Sequence, residues 1–83
     1  MGASDWGIEI LSPNQSTTRV IDKIQVCLQA GMELGWLIDC TEEVILVLQR
    51  DRALGVFRGE QSLPVPAAIS LNLTPQEIFN WAL

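Results

Sequence analysis

The run Val44–Leu48, VILVL, is the feature that most restricts how this 83-residue chain can fold. Five consecutive apolar residues put hydrophobic side chains on both faces of a strand, so both faces have to be covered. Leu54–Arg58 follows after a short charged turn and also has strand character, which predicts a hairpin with Val44–Leu48. The chain therefore needs a β-sheet with a layer packed on each side.

Two more strands and a helix are predicted upstream of this hairpin. Trp6–Leu11 has the alternation of a strand, and Glu33–Ile38 reads as a second strand. Between them, apolar residues recur at helical spacing over Ser16–Ala30, and Gly31 follows as a plausible stop. This β-α-β segment is long enough for a crossover between parallel strands.

The C-terminal part of the chain carries a strong helix-start pattern. Thr74, Pro75 and Glu77 match a capping box with proline at the first helical position, which predicts a helix from Pro75 to the end of the chain. Ala68–Leu73 alternates as a short strand. This helix should bury Ile78, Phe79 and either Trp81 or Ala82. The predicted fold is one α/β domain over residues 1–83, with a mixed sheet and the order β-α-β-β-β-(β)-α.

Composition favours association with another chain. Hydrophobic residues make up 48% of the sequence, and the mean hydropathy is +0.26. A domain this small cannot bury so much apolar surface easily, and an exposed apolar patch favours assembly. We therefore expect a homo-oligomer or a piece of a larger assembly.

The charge balance argues against strong non-specific binding to nucleic acid. Ten acidic residues face five basic ones, which gives a net charge of −5. Nucleic-acid binders usually carry a basic stripe that displaces counterions from phosphate. A local basic site and a DNA partner remain compatible with this balance.

Two cysteines and no histidine make a zinc site a poor interpretation. Cys27 and Cys40 are expected to be buried or half-buried free thiols in a reducing compartment. No stretch approaches the ~18 apolar residues of a membrane span, and the N-terminus lacks a signal-peptide pattern. We expect a cytoplasmic protein with no membrane partner.

Asp5 and Glu9 are the first candidates for chemistry. They lie on one face of the first strand, with Cα atoms about 13 Å apart at about 3.3 Å per residue. That distance is too great for both carboxylates to hold one ion. Asp5 fits a polar residue at the start of a strand, whereas Glu9 could be either an exposed acid or a ligand.

Lys23 flanks the apolar stripe of the first helix, so its amine could reach over the sheet edge toward Glu9. There it could stabilise negative charge developing on a phosphate. The alternative is a lysine whose stem lies along apolar surface while its amine stays in water.

Four segments in order resemble the Uma-type endonucleases, bacterial members of the PD-(D/E)XK nuclease superfamily. They are IEILSPNQS with Glu9, VIDKIQVCLQAGMELGWLIDC with Lys23 and the WLID of Trp36–Asp39, VILVLQRD…GVFRG, and the late LNLTPQEIF. The resemblance implies a partial restriction-endonuclease-like fold and DNA phosphodiester hydrolysis that depends on Mg²⁺ or Mn²⁺. It implies that Glu9 is a catalytic residue and metal ligand, and that Lys23 is the catalytic lysine, carried on the helix.

The resemblance covers only the C-terminal half of that family's domain. The family's N-terminal half supplies another strand with the second acidic ligand, and Leu11 replaces the lysine of a strand-borne E-x-K pattern. Activity of this chain alone is therefore expected to be weak or absent unless a missing N-terminal half or a second chain completes the site. The alternative hypothesis is a non-catalytic oligomeric interaction module derived from the same fold.

Overall fold

A computed structural model describes residues 5–82 and contains four strands and two helices. The elements are β1 Trp6–Ile10, α1 Thr17–Gln29, β2 Leu34–Asp39, β3 Val44–Gln49, β4 Gly55–Phe57 and α2 Pro75–Ala82. The predicted α/β class with a mixed sheet is confirmed. Neither helix in this part of the chain has the length and apolar character needed to cross a bilayer.

The strands form one sheet in the order β1-β2-β3-β4. β1 is parallel to β2, and α1 provides the crossover between them. β2–β3 and β3–β4 are antiparallel, so the predicted hairpin is confirmed. Among the described residues, β1 and β4 are the two edge strands.

β3 is covered on both faces, as its apolar run predicts. Ile45 and Val47 enter one hydrophobic core, whereas Leu48 enters the other with Leu46 packed against it. The sheet therefore separates two cores of different composition.

Helix α1 covers one face, called here the α1 face, through an aliphatic core. Val20, Ile24 and Leu28 recur along one side of the helix and pack with residues of β2 and β3. Gly35 in β2 lies directly beneath Ile24, so the helix approaches the sheet closely at this point. The core members are Val20, Ile24, Leu28, Met32, Leu37 and Leu48.

The C-terminus of α1 is closed by its own backbone and by an arginine. Gly31 has φ of 120°, and the next amide, that of Met32, donates to the Cys27 carbonyl at 3.0 Å. This is the Schellman pattern, in which glycine accepts the left-handed conformation at little cost. The Arg50 guanidinium donates to the Leu28 and Met32 carbonyls at 3.0 and 3.2 Å. The predicted helix stop at Gly31 is confirmed.

The opposite face, called here the aromatic face, is covered by an irregular segment and by α2. Trp6 and Trp36 pack edge to face with ring centroids 4.8 Å apart, and the Trp36 indole donates to the Pro64 carbonyl at 3.0 Å. Leu63 and Phe79 bury themselves in the same core. Its buried members are Leu34, Trp36, Ile38, Ile45, Val47, Leu63 and Phe79.

The capping box at the start of α2 is present as predicted. The Thr74 hydroxyl accepts from the Glu77 amide at 3.2 Å, and the Glu77 carboxylate accepts from the Thr74 amide at 3.1 Å. Phe79 is buried and Ile78 is half-buried. Of the two alternatives predicted for burial, Trp81 is 70% exposed, and the Ala82 side chain lies outside the described residues.

The predicted strand at Ala68–Leu73 is also wrong, because this segment is irregular. Its alternation has no neighbouring strand to pair with along its length. The Ile69 amide bonds back to Pro66 in a turn, and the Leu73 carbonyl accepts one bond from Leu63. Ile69 and Leu71 consequently remain exposed.

Both cysteines are free thiols, as expected, and the predicted burial is confirmed for Cys27 but wrong for Cys40. Cys27 is half-buried beside the aliphatic core. Cys40 is exposed in the turn after β2, where the Asp39 carboxylate accepts from the Thr41 and Glu42 amides. A turn position leaves a side chain nothing to pack against, which explains the exposed thiol.

Candidate functional site

Strand pairing fixes which way Glu9 faces. In the parallel register Glu9 is opposite Leu37, whose side chain belongs to the aliphatic core under α1. Paired residues on neighbouring strands point to the same face of a sheet. Glu9 therefore lies on the α1 face, at the edge strand, where the helix no longer covers the sheet completely.

The structure brings Glu9 and Lys23 together. The Lys23 Nζ lies 3.4 Å from the Glu9 Oε2, although 14 residues separate them in sequence. The contact is longer than the ~2.8 Å of a tight charge-assisted hydrogen bond. The Lys23 and Glu9 side chains are 64% and 37% exposed, so both can reach an incoming ligand.

These two residues line an open groove between β1 and the first turns of α1, called here the Glu9 groove. Arg19, one helical turn before Lys23, contributes a second cation to the same groove. Asn14, Gln15 and Ser16 add polar groups from the preceding turn and helix cap. The groove thus combines one carboxylate, two cations and several neutral donors and acceptors.

Arg19 is the charged residue that sequence reasoning did not place in the site. An exposed arginine near a helix start belongs to no motif and to no apolar stripe. In the sequence its charge contributes only to the net charge of the chain. The usable signal was its spacing from Lys23, since residues four apart on a helix lie on the same side.

Asp5 lies apart from this site. It immediately precedes β1, and its backbone carbonyl accepts from the Leu34 amide at 3.1 Å. It lines a different depression, together with Glu33, Arg50 and Arg52. Asp5 and Glu9 therefore do not form a carboxylate pair, in agreement with the strand spacing.

The donor set can be compared with the needs of a divalent cation. Mg²⁺ is commonly held by one or two carboxylates together with water and substrate phosphate oxygens. Glu9 can supply one such carboxylate, but residues 5–82 contain no group of three acidic, histidine or cysteine side chains placed to hold a metal. The described residues therefore fit part of a metal site and do not complete one.

The chemistry open to this pair follows from the two side chains. A half-exposed carboxylate oxygen is a suitable ligand for a hard cation. A lysine amine with three donors can contact phosphate oxygens. Because the ion pair is solvent-exposed, it stabilises the fold by only ~0–1 kcal/mol, so stability alone is a weak reason for its presence.

The chain is similar to a solved structure and to a family model, and both are described as nucleases. A crystal structure of a protein from Anabaena variabilis ATCC 29413, described as "a putative nuclease belonging to DUF820", matches with a TM-score of 0.92 and 41% sequence identity. The match covers 100% of this chain and 48% of that one, so the chain spans about half the length of its solved relative. No functionally curated protein matches.

The family comparison covers nearly the whole sequence. Residues 1–78 match the Uma2 family, described as "Putative restriction endonuclease". This match includes both charged residues of the Glu9–Lys23 pair and all four strands. The chain belongs to the Uma2 family of restriction-endonuclease-type proteins.

Proposed function

We propose that this chain contributes one half of a metal-dependent nuclease site, in which Glu9 is a metal ligand and Lys23 contacts the scissile phosphate. The observation that carries the proposal is the 3.4 Å approach of Lys23 Nζ to Glu9 Oε2 in an open groove. The nuclease description of the solved relative and the Uma2 family match support the same reaction class.

Glu9 and Lys23 have complementary roles in this proposal. Glu9 would be one oxygen ligand of Mg²⁺ or Mn²⁺, an ion that, when bound, polarises a phosphate and lowers the pKa of a coordinated water. Lys23 donates hydrogen bonds to a non-bridging phosphate oxygen and stabilises the charge that develops there. Glu9 also orients the Lys23 amine, since the two groups already approach each other.

Hydrolysis by this scheme needs a second carboxylate from outside residues 5–82. That ligand would come from a second polypeptide or from a segment equivalent to the other part of the longer relative. The scheme therefore predicts weak cleavage by the chain alone and a strong dependence on any partner that adds an acidic ligand.

The test is cleavage of supercoiled plasmid DNA in Mg²⁺ or Mn²⁺ by the wild type, Glu9→Gln and Glu60→Gln. Glu60 is an exposed acid that lines none of the grooves described above, so it is a matched control. Loss of a preorganised electrostatic contact typically costs about 100-fold or more in rate. We expect Glu9→Gln to lose nicking to that extent and Glu60→Gln to retain it. Equal nicking by wild type and Glu9→Gln, including background nicking by both, would overturn the proposal.

A second candidate function is an oligomeric interaction module without catalysis. Ile8 and Ile10 are 48% and 65% exposed on the aromatic face of the edge strand β1. An exposed apolar edge strand is a common template for pairing with another chain. We propose a second copy of this chain as the occupant, which would give a homodimer.

Sedimentation of wild type and Ile10→Lys tests this second candidate. The wild type should sediment as a dimer, and the lysine should shift it toward monomer because a buried unpaired charge is costly. A wild type that stays monomeric at high concentration would eliminate the oligomer. Glu9→Gln should leave the dimer intact, since Glu9 lies on the other face.

A further inference from the structure

Arg19 has no structural role that accounts for its position. With Ser16 as the N-cap, Arg19 is the third residue of α1, and the first turn contains no acidic residue. The positive end of the helix dipole makes a cation unfavourable there. Among residues 5–82 the ion pair in the structure joins Lys23 to Glu9 and leaves the Arg19 guanidinium without a carboxylate partner.

The placement of Arg19 links it to the Glu9 groove. Arg19 and Lys23 are four residues apart on α1, and both line that groove. Two like charges at this spacing repel each other, so the helix gains nothing from the pair. Two of the chain's five basic residues thus lie beside its single groove carboxylate, in a protein with a net charge of −5.

We infer that Arg19 is a substrate-binding residue that contacts a backbone phosphate flanking the one held by Lys23. The inference rests on the proposed function, because it takes the ligand to be nucleic acid. A guanidinium presents a planar fork of donors that matches the oxygens of a phosphate. Lys23 is nearer to Glu9, so Lys23 faces the reacting phosphate and Arg19 extends the contact along the strand.

Phosphate contacts leave a measurable signature in the salt dependence of binding. Each neutralised phosphate contributes about 0.9 to the slope of log K against log salt on duplex DNA. Removing Arg19 should therefore reduce the slope by about one and weaken binding to a similar extent for different DNA sequences. Such a measurement needs no cleavage and reports on binding alone.

The experiment is fluorescence anisotropy of a labelled short DNA duplex without divalent metal, between about 50 and 200 mM salt. The proteins are the full chain as wild type, Arg19→Ala, Arg19→Lys and Arg58→Ala. Arg58 is exposed beyond β4 and lines none of the grooves described above, so it controls for net charge. We expect the slope to fall by about one for Arg19→Ala alone and to be kept by Arg19→Lys.

Three results would overturn the inference: equal slopes for wild type and Arg19→Ala, an equal loss for Arg58→Ala, or no salt-dependent binding by wild type. Thermal unfolding separates binding from folding, because replacing Arg19 by alanine should leave the melting temperature unchanged or raise it. The slope test and the Glu9→Gln cleavage test can fail independently. If Arg19→Ala reduces the salt slope by about one but no protein cleaves DNA, Arg19 remains a phosphate contact and the nuclease proposal is removed.

Discussion

The two faces of the sheet are covered in different ways, and the difference is greatest at the edge strand β1. The α1 face is aliphatic and lies under a 13-residue helix, whereas the aromatic face depends on Trp36, Phe79 and an irregular segment. On β1 the usual placement of apolar residues on the covered face and charged residues on the exposed face is reversed. The charged Glu9 is on the helix-covered face, while Ile8 and Ile10 are exposed on the aromatic face.

The central strands and the edge strand β1 therefore differ in role: the central strands stabilise the fold, whereas β1 carries a residue available for function. The central strands bury both faces, so substitutions there should change stability. The Glu9 groove lies where α1 passes the sheet edge, and its charged side chains are exposed. Substitutions in the groove should change ligand binding or catalysis with little effect on folding.

The largest expected effect is on the aromatic face, for Trp36→Ala. Trp36 is 2% exposed, packs against Trp6 and donates to the Pro64 carbonyl. Truncating a buried tryptophan typically costs about 3–5 kcal/mol. Urea unfolding should show that loss, whereas Trp81→Ala, at an exposed site, should stay within about 0.5 kcal/mol of wild type. Similar losses for both variants would contradict the assignment of the aromatic core.

A smaller effect is expected on the α1 face, for Gly35→Ala. A Cβ at Gly35 would overlap the Cγ2 of Ile24, so the helix would have to move away from the sheet. Overpacking of this kind costs about 1–3 kcal/mol.

A double-mutant cycle with Ile24→Ala tests the mechanism of the Gly35→Ala loss. Removing the Ile24 side chain removes the atom in the way, so Gly35→Ala should cost less in that background. An undiminished cost would mean that the close approach of Ile24 does not explain the glycine, since a Cβ at Gly35 would also lie 3.2 Å from the Met32 Cε.

The sequence predicted most of the fold because the relevant signals are local. The apolar run of β3, the helical stripe of α1 and the Thr74–Glu77 capping box each act within a few residues. The strand expected at Ala68–Leu73 failed for the opposite reason. Its alternation was present, but a strand also needs a partner along its length, and partner geometry is not local.

The site was predictable only in part. Helix α1 crosses over the parallel strands β1 and β2. The side of the helix on which Lys23 lies was therefore sufficient to predict its approach to Glu9. Arg19 was missed because an exposed cation has no burial pattern. Helical phase alone did not decide between burial of Trp81 and burial of Ala82, and the structure shows that Trp81 is exposed.

The smallest expected effect on stability is for Lys23→Met, and it tests the contrast between the two faces most directly. The Lys23–Glu9 pair is exposed and 3.4 Å apart, so its loss should change the free energy of unfolding by less than about 1 kcal/mol. Methionine keeps the helix propensity and the apolar stem of lysine. Any plasmid nicking by the wild type should nevertheless fall about 100-fold, since the donor to the phosphate is gone.

Asp22→Asn, at the neighbouring exposed position of α1, should change neither quantity. A stability loss for Lys23→Met as large as that for Gly35→Ala would make the pair a structural element and would erase the functional distinction between the groove and the core.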